Sequence, residues 1–149
     1  MERMPRIVAI VSFAAGGIMI VLGVITYYVV QRELSDEQIV VSDDADRFAG
    51  EEVEGPFTAY SEAMVIKDHA LEAGDGQTYA QLPQDDPARD TVMNASFLRA
   101  SLFTSVVAFG VAALVVGLGV MFLLFGFALL GILRRLEDRS TTAAVVTAA

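Results

Sequence analysis

The chain has 149 residues, of which 54% are hydrophobic, and a formal net charge of −9 at pH 7. It contains no cysteine, which excludes disulfides, thiol catalysis and thiolate metal sites. The hydrophobic residues are segregated into two blocks instead of following the short periods of a globular core, and this segregation indicates a membrane protein.

The first hydrophobic block, residues 7–30, predicts a transmembrane helix. Its 24 residues carry no charge. As a helix they would be about 36 Å long at ~1.5 Å per residue, enough for a hydrocarbon core of ~30 Å. The preceding MERMPR resembles the basic start of a signal peptide. However, the block exceeds the ~7 to 15 apolar residues of a signal core and has its small residues inside the run, so we expect an uncleaved anchor.

The second hydrophobic block, residues 100–133, predicts a helix that is longer than a membrane is thick. Its 34 uncharged residues would extend about 51 Å, roughly 20 Å more than the hydrocarbon core. Asp86 followed by Pro87 predicts a helix cap and a start near residue 87. The aspartate can accept from free backbone N–H groups, and proline has no N–H to leave unpaired. We therefore expect one continuous helix that begins in water and then crosses the membrane.

Arg99 stands at the entrance of the second block. We expect it to anchor the helix at the outer lipid headgroups, with its aliphatic stem along apolar surface. The alternative is that Arg99 pairs with an acid or with a lipid phosphate. No Asp, Glu, Lys, Arg or His occurs inside either block, so an ion path or a proton relay lacks support.

Between the two blocks lies segment 31–99, whose 69 residues include sixteen acidic and five basic side chains. The ends of the chain are basic instead, with two arginines before the first block and three after the second. Positive charge near spans tends to stay in the cytoplasm, so we expect both termini to be cytoplasmic and segment 31–99 to be extracytoplasmic. We interpret the acidic excess as a solvated surface, with cation binding as the alternative.

Segment 31–99 predicts a small, α-rich domain. Residues 39–42 resemble a β-strand, VEGPF resembles a turn, and residues 58–72 resemble a helix that Gly74 and Gly76 can stop. Seven apolar side chains are candidates for the core, with a ligand pocket as their alternative use: Phe48, Phe57, Tyr60, Met64, Leu71, Tyr79 and Leu82. A domain this small buries little apolar surface, so we expect it to rest on the membrane helices or on a partner.

Small residues recur on one face of each predicted span, and such faces let helices approach closely in lipid. We expect the two spans to pack on each other, or one of them to use its face for a helix of another protein. The candidates for this packing are Ser12, Gly16 and Gly23 in the first span and Gly110, Ala113 and Gly117 in the second.

The sequence contains no recognisable catalytic constellation. His69 is the only histidine, whereas metal hydrolases and non-haem iron oxygenases need at least two histidines or comparable ligands. The run Asp43, Asp44 and Asp46 lacks the glycine and glutamate spacing of a calcium loop, and there is no phosphate-binding glycine loop. We therefore expect no enzyme activity, no cofactor, no metal and no nucleic-acid partner.

Several stretches resemble one family. These are IVVSDDA at 39–45, GPFTAY at 55–60, HALEA at 69–73 and DPARDTVMNASFLRASLFTSVVAFGVAALVVGLG at 86–119. With them the chain resembles, from residue 7 to about residue 130, small two-span membrane proteins of actinobacteria that are commonly named aromatic ring-opening dioxygenase LigA subunit. The resemblance implies a bacterial plasma-membrane location and supplies no catalytic residues. The dioxygenase name conflicts with the single histidine, because such enzymes bind iron through paired histidines and a carboxylate.

The sequence as a whole predicts a mainly α membrane protein, a two-helix transmembrane hairpin with a long second helix and a small extracytoplasmic cap. Residues 1–6 and 134–149 are expected to be cytoplasmic, the latter as a disordered tail. The predicted function is that of a non-catalytic accessory or assembly subunit of an envelope complex, in contact with the bilayer and with a membrane-protein partner or a second copy. The alternatives are an extracytoplasmic ligand or cation sensor and an enzyme subunit.

Overall fold

The computed structural model describes the backbone of residues 3–148 and the side chains of residues 4–136. It contains three helices: α1 (Arg3–Asp36), α2 (Pro56–Ala73) and α3 (Arg89–Ala148). Within residues 3–148 there is no strand, and a single antiparallel bridge pairs Val40 with Glu52. The mainly helical prediction is confirmed. Two helices, α1 and α3, are long and apolar enough to cross a membrane.

The boundaries of α2 follow from its end residues. At the start, the Thr58 hydroxyl donates to the Gly55 carbonyl at 3.1 Å and accepts from the Gly55 N–H at 3.2 Å. At the other end, Gly74 follows the last helical residue and Gly76 has a φ of 81°. A positive φ favours glycine, so this turn ends the helix where the sequence predicts it.

The start of α3 uses the predicted cap residue. The Asp86 carboxylate accepts from the Ala88 N–H at 2.8 Å, which satisfies a backbone donor that the helix itself leaves free. Pro87 lies in the exposed turn between them. Arg89 is the first helical residue, two positions later than the predicted start.

The other end of α3 differs from the prediction. The backbone is helical as far as Ala148, where the sequence predicts a disordered tail from residue 134. No glycine or proline follows Gly131, so no helix-breaking residue interrupts the chain beyond it. Residue 149 and the side chains of residues 137–148 lie outside the described part of the chain.

The chain divides into two compact units. The paired-helix unit comprises Met1–Ile25 and Ala112–Ala149, and the central unit comprises Thr26–Val111. Each unit therefore contains part of α1 and part of α3, and the central unit contains all of α2.

In the paired-helix unit, α1 and α3 run antiparallel and touch through small residues. A Cβ built on Gly16 would lie 2.7 Å from the Gly119 carbonyl oxygen, and one built on Gly23 would lie 2.9 Å from the Ala112 carbonyl oxygen. Three glycine or alanine residues in each helix are buried and recur every seventh position: Ala9, Gly16 and Gly23 in α1, and Ala112, Gly119 and Gly126 in α3. A seven-residue repeat keeps one face of a helix on its neighbour over several turns.

The packing candidates of the first span lie in this contact, whereas those of the second span do not. Ser12, Gly16 and Gly23 are buried. Gly110, Ala113 and Gly117 are exposed, and a Cβ on either glycine would meet nothing within 4 Å. The prediction placed the wrong face of α3 against α1. The close approach follows the seven-residue row of Ala112, Gly119 and Gly126, and this row leaves Gly110, Ala113 and Gly117 exposed.

The core of the central unit combines all three helices with the loop between α1 and α2. It consists of Leu34 from α1, Val41 and Val53 from the loop, Ala59 and Ala63 from α2, and Leu102 and Phe109 from α3. The Phe109 ring also meets the Tyr27 ring at 4.7 Å between centroids. The expectation that segment 31–99 rests on the long helices is confirmed inside this unit.

Most of the seven residues predicted for the core are not fully buried. Of the seven, Leu82 is buried, Met64, Leu71 and Tyr79 are half-buried, and Phe48, Phe57 and Tyr60 are exposed. The reason is that α2 turns its alanines inward, because only small side chains let it lie close to the rest of the core. Its large aromatic side chains then occupy the opposite face.

Candidate functional site

The loop between α1 and α2 is a folded element of the central unit. The Val41 N–H donates to the Glu51 carbonyl at 2.9 Å, and the Val53 N–H donates to the Ile39 carbonyl at 2.8 Å. Val41 and Val53 are both buried, so the loop is held by its own backbone bonds and by two core side chains. The β-like run predicted at residues 39–42 therefore forms a short paired segment with one bridge and does not form a strand.

Glu62 of α2 holds this loop from the buried side. Its carboxylate accepts from the Ser42 N–H at 2.8 Å and from the Ser42 hydroxyl at 3.2 Å, and the residue is only 7% exposed. Sequence reasoning missed Glu62. The available signal was an acid on the same helix face as Ala59 and Ala63, since a charge on such a face needs partners.

A second contact joins the loop to α2 at the surface. The Asp44 carboxylate lies 2.6 Å from His69 Nε2, and both side chains are exposed. The hydrogen bond from His69 lowers the pKa of Asp44 below 3.8, and the bond to Asp44 with its negative charge raises the pKa of His69 above 6.5. The contact joins residues 25 positions apart, so the sequence around His69 does not predict it.

An open groove of about 720 Å³ lies between the loop, the aromatic face of α2 and Val106 of α3. Its apolar lining includes three residues predicted for the core, Phe57, Tyr60 and Met64, and a fourth from the loop, Phe48. The Tyr60 ring packs edge-on against Phe103 at 5.8 Å between centroids. The charged lining residues are Asp44, Asp46, Asp68 and Arg47, so the groove combines aromatic side chains with a net negative charge.

The groove lacks an evident reaction centre. Among the side chains that the structure describes, no group of three His, Cys, Asp or Glu could hold a metal ion. Asp43 is exposed, Asp46 lines the groove, and Asp44 is engaged with His69. The arrangement is suited to binding an apolar group with positive charge beside it.

Arg99 does not line the groove and lies on the part of α3 that belongs to the central unit. It is half-buried, and its guanidinium carbon lies 5.3 Å from the centre of the Phe103 ring. Its Nε is buried without a hydrogen-bond partner. Arg99 also lines a small cavity that the sequence does not predict, and its role as a headgroup anchor stays a prediction.

Searches with the whole chain give no matching family model, curated protein or solved structure.

Proposed function

We propose that the protein is a two-pass protein of a bacterial plasma membrane, and that its central unit binds a segment of another envelope protein. In this proposal the chain acts as a non-catalytic accessory or assembly subunit. The observation that carries the proposal is the groove between the loop and α2, which presents large aromatic side chains to the outside.

The surface of the two long helices supports a membrane location. Only 22% of the most apolar window of α1 and 17% of that of α3 are buried, whereas the core helix of a soluble protein buries most of such a window. Lipid would cover the remainder. The excess of arginine at both ends of the chain supports cytoplasmic termini and an extracytoplasmic central unit.

The composition of the groove supports a peptide segment as its occupant. Phe57 is 74% exposed in the free chain, so it gains burial from any partner that fills the groove. The rim carries Asp44, Asp46 and Asp68 against Arg47, which favours a segment with an apolar side chain flanked by Lys or Arg. A second candidate, a sensor of a small cationic amphiphile, uses the same groove, because its volume lies within the ~300–1,000 Å³ of small-molecule sites.

The test is purification of the full chain from its membrane in mild detergent, followed by mass spectrometry. The groove variant carries Phe57→Ala and Asp68→Lys. The matched control carries Phe97→Ala and Asp85→Lys, two exposed residues of the central unit outside the groove. The natural chain and the control should each retain the same stoichiometric partner, and the groove variant should lose it.

A photo-crosslinking residue at position 57 then identifies the contact. Crosslinks to a segment with Lys or Arg beside an apolar residue support the proposal. Isolation of the natural chain alone, or of a partner that the groove variant also retains, would contradict it. Saturable binding of a small cationic amphiphile by the chain alone would favour the sensor.

A further inference from the structure

The central unit contains a second cavity, separate from the groove, at the side of α2 where α3 begins. Its volume is about 80 Å³. It lies between the C-terminal half of α2, the loop at residues 77–79 and the first turns of α3. The polar residues that line it are Lys67, Gln77, Thr78, Tyr79, Ser96 and Arg99.

From this cavity we infer a binding site for a phosphate group, held by Arg99 and Lys67. Both cations line the cavity, and no aspartate or glutamate does. A cavity lined by basic and no acidic side chains stands out in segment 31–99, which has sixteen acidic and five basic residues. Among the described side chains neither Lys67 nor Arg99 forms an ion pair. Two unpaired positive charges that face one space attract an anion.

Arg99 lines the cavity and also has a donor that the described side chains leave unpaired. Its Nε is buried and has no hydrogen-bond partner, whereas buried polar groups in proteins are almost always paired. The guanidinium is oriented by the Phe103 ring at 5.3 Å. A guanidinium held in one plane offers parallel N–H donors that match two oxygens of a phosphate, and Lys67 would supply a second positive charge.

Two of the three hydroxyl groups that line the cavity are already in use as donors. Thr78 donates to the Gln81 side chain at 3.0 Å, and Ser96 donates to the Val92 carbonyl at 2.8 Å. This leaves Lys67, Arg99, the Gln77 amide and the Tyr79 hydroxyl as the donors available to a ligand. Donors that outnumber acceptors in a small space select an anion over a cation or a neutral polyol.

The size of the cavity selects a single anionic group. Its volume of 80 Å³ is several times the ~10–15 Å³ that one water molecule needs on the same measure, so it has room for a group of a few heavy atoms. The shared chemistry is therefore a phosphate group, either free in solution or at the head of a phospholipid whose chains remain outside. Of these two ligands, only the phospholipid depends on the proposed membrane location.

The experiment uses the full chain in a phosphate-free, non-ionic detergent and follows binding of two probes by native mass spectrometry and thermal shift. One probe is inorganic phosphate, with sodium chloride at equal ionic strength as the blank. The other is phosphatidylglycerol in mixed micelles, with an uncharged diacylglycerol as the blank. Binding of phosphate alone identifies a free anion as the ligand, and binding of the lipid alone identifies a headgroup.

Three substitutions test the residues. Arg99→Gln should weaken binding by about tenfold or more, because it removes a charge-assisted bidentate contact. Lys67→Gln should weaken it less, because an ammonium acts as a point charge. Arg32→Gln makes the same charge change at an exposed position outside the cavity and should bind like the natural chain.

Circular dichroism and a melting curve show whether each variant is folded. If Arg99→Gln does not fold, Lys67→Gln alone decides the question, since Lys67 forms no ion pair that folding would lose. The inference is overturned if the natural chain saturably binds neither probe, or if a folded cavity variant binds as tightly as Arg32→Gln.

Discussion

Gly16 of α1 and Gly119 of α3 meet backbone to backbone in the paired-helix unit. A Cβ on Gly16 would lie 2.7 Å from the Gly119 carbonyl oxygen, and a Cβ on Gly119 would lie 2.8 Å from the Gly16 carbonyl oxygen. Backbone atoms cannot swing aside as a flexible side chain can. The contact therefore depends on the absence of a side chain at both positions, which is how helices associate closely when no water drives them together.

We expect Gly16→Ala to destabilise the protein by about 1–3 kcal/mol, because the two helices must separate to admit the methyl group. The measurement is equilibrium unfolding in detergent micelles. Gly117→Ala is the matched control, since a Cβ there meets nothing within 4 Å. It should be neutral or stabilising by at most about 1 kcal/mol, the gain from alanine in a helix. Equal losses for the two variants would show that the close approach is not the cause.

We expect Glu62→Ala to loosen the loop that forms one wall of the groove. The substitution leaves the half-buried Ser42 N–H without its acceptor, which costs about 1–3 kcal/mol, whereas Ser42→Ala removes only the hydroxyl contact and should cost about 0.5–1.5 kcal/mol. Denaturant unfolding measures both values. Glu72→Ala, an exposed acid on the same helix, should stay within about 0.5 kcal/mol of the natural chain. A Glu62 variant as stable as the Glu72 variant would contradict this account.

We expect the His69–Asp44 contact to depend on pH. The pKa of His69 is raised above 6.5 by the bond to Asp44, with further contributions from Glu72 and Glu62. The stability that His69 contributes is therefore complete below pH 6.5 and is lost as the pH rises through the raised value. The pKa of Asp44 is lowered below 3.8, so the stability that Asp44 contributes is present above pH 3.8 and is lost as the pH falls through the lowered value. The contact is therefore strongest between pH 3.8 and pH 6.5.

An NMR titration measures this directly, because the chain has one histidine and hence one imidazole signal to follow. The titration midpoint of His69 should lie above 6.5 in the natural chain and fall toward that value in Asp44→Asn. Asp43→Asn neutralises an exposed neighbour that His69 does not contact, and it should leave the midpoint nearly unchanged. The same midpoint in the natural chain and in Asp44→Asn would refute the contact.

The proposed orientation can be tested with single thiols, because the natural chain has no cysteine to label. Gln84→Cys introduces a thiol in the loop before α3. Leu136→Cys introduces one in α3 just after the apolar block 100–133, and both positions are exposed. A membrane-impermeant maleimide should label Gln84→Cys in intact cells and label Leu136→Cys only after permeabilisation. The reverse pattern would invert the orientation, and labelling of both in intact cells would contradict a two-pass arrangement.

Local features were predicted well because they depend on neighbouring residues in the chain. The helix at Pro56–Ala73 was predicted at residues 58–72 from a preceding turn and following glycines, and the Asp86 cap was predicted from one dipeptide. The contacts of Glu62 and His69 were missed because each joins residues at least 20 positions apart. Nothing in the sequence near either residue indicates which loop atom will face it.

The sequence by itself determined that there are two long apolar helices, where a third helix lies between them, and where that helix ends and α3 begins. Hydropathy and turn chemistry act over a few residues, so these features can be recognised locally. Only the tertiary structure decided which face each helix buries. Gly117 and Gly119 are both glycines and lie two positions apart in α3. A Cβ on Gly117 would meet nothing within 4 Å, whereas Gly119 touches the backbone of α1. The same holds for Phe57 and Ala59 in α2, where close packing selects the smaller side chain for the core and leaves the aromatic one to line the groove.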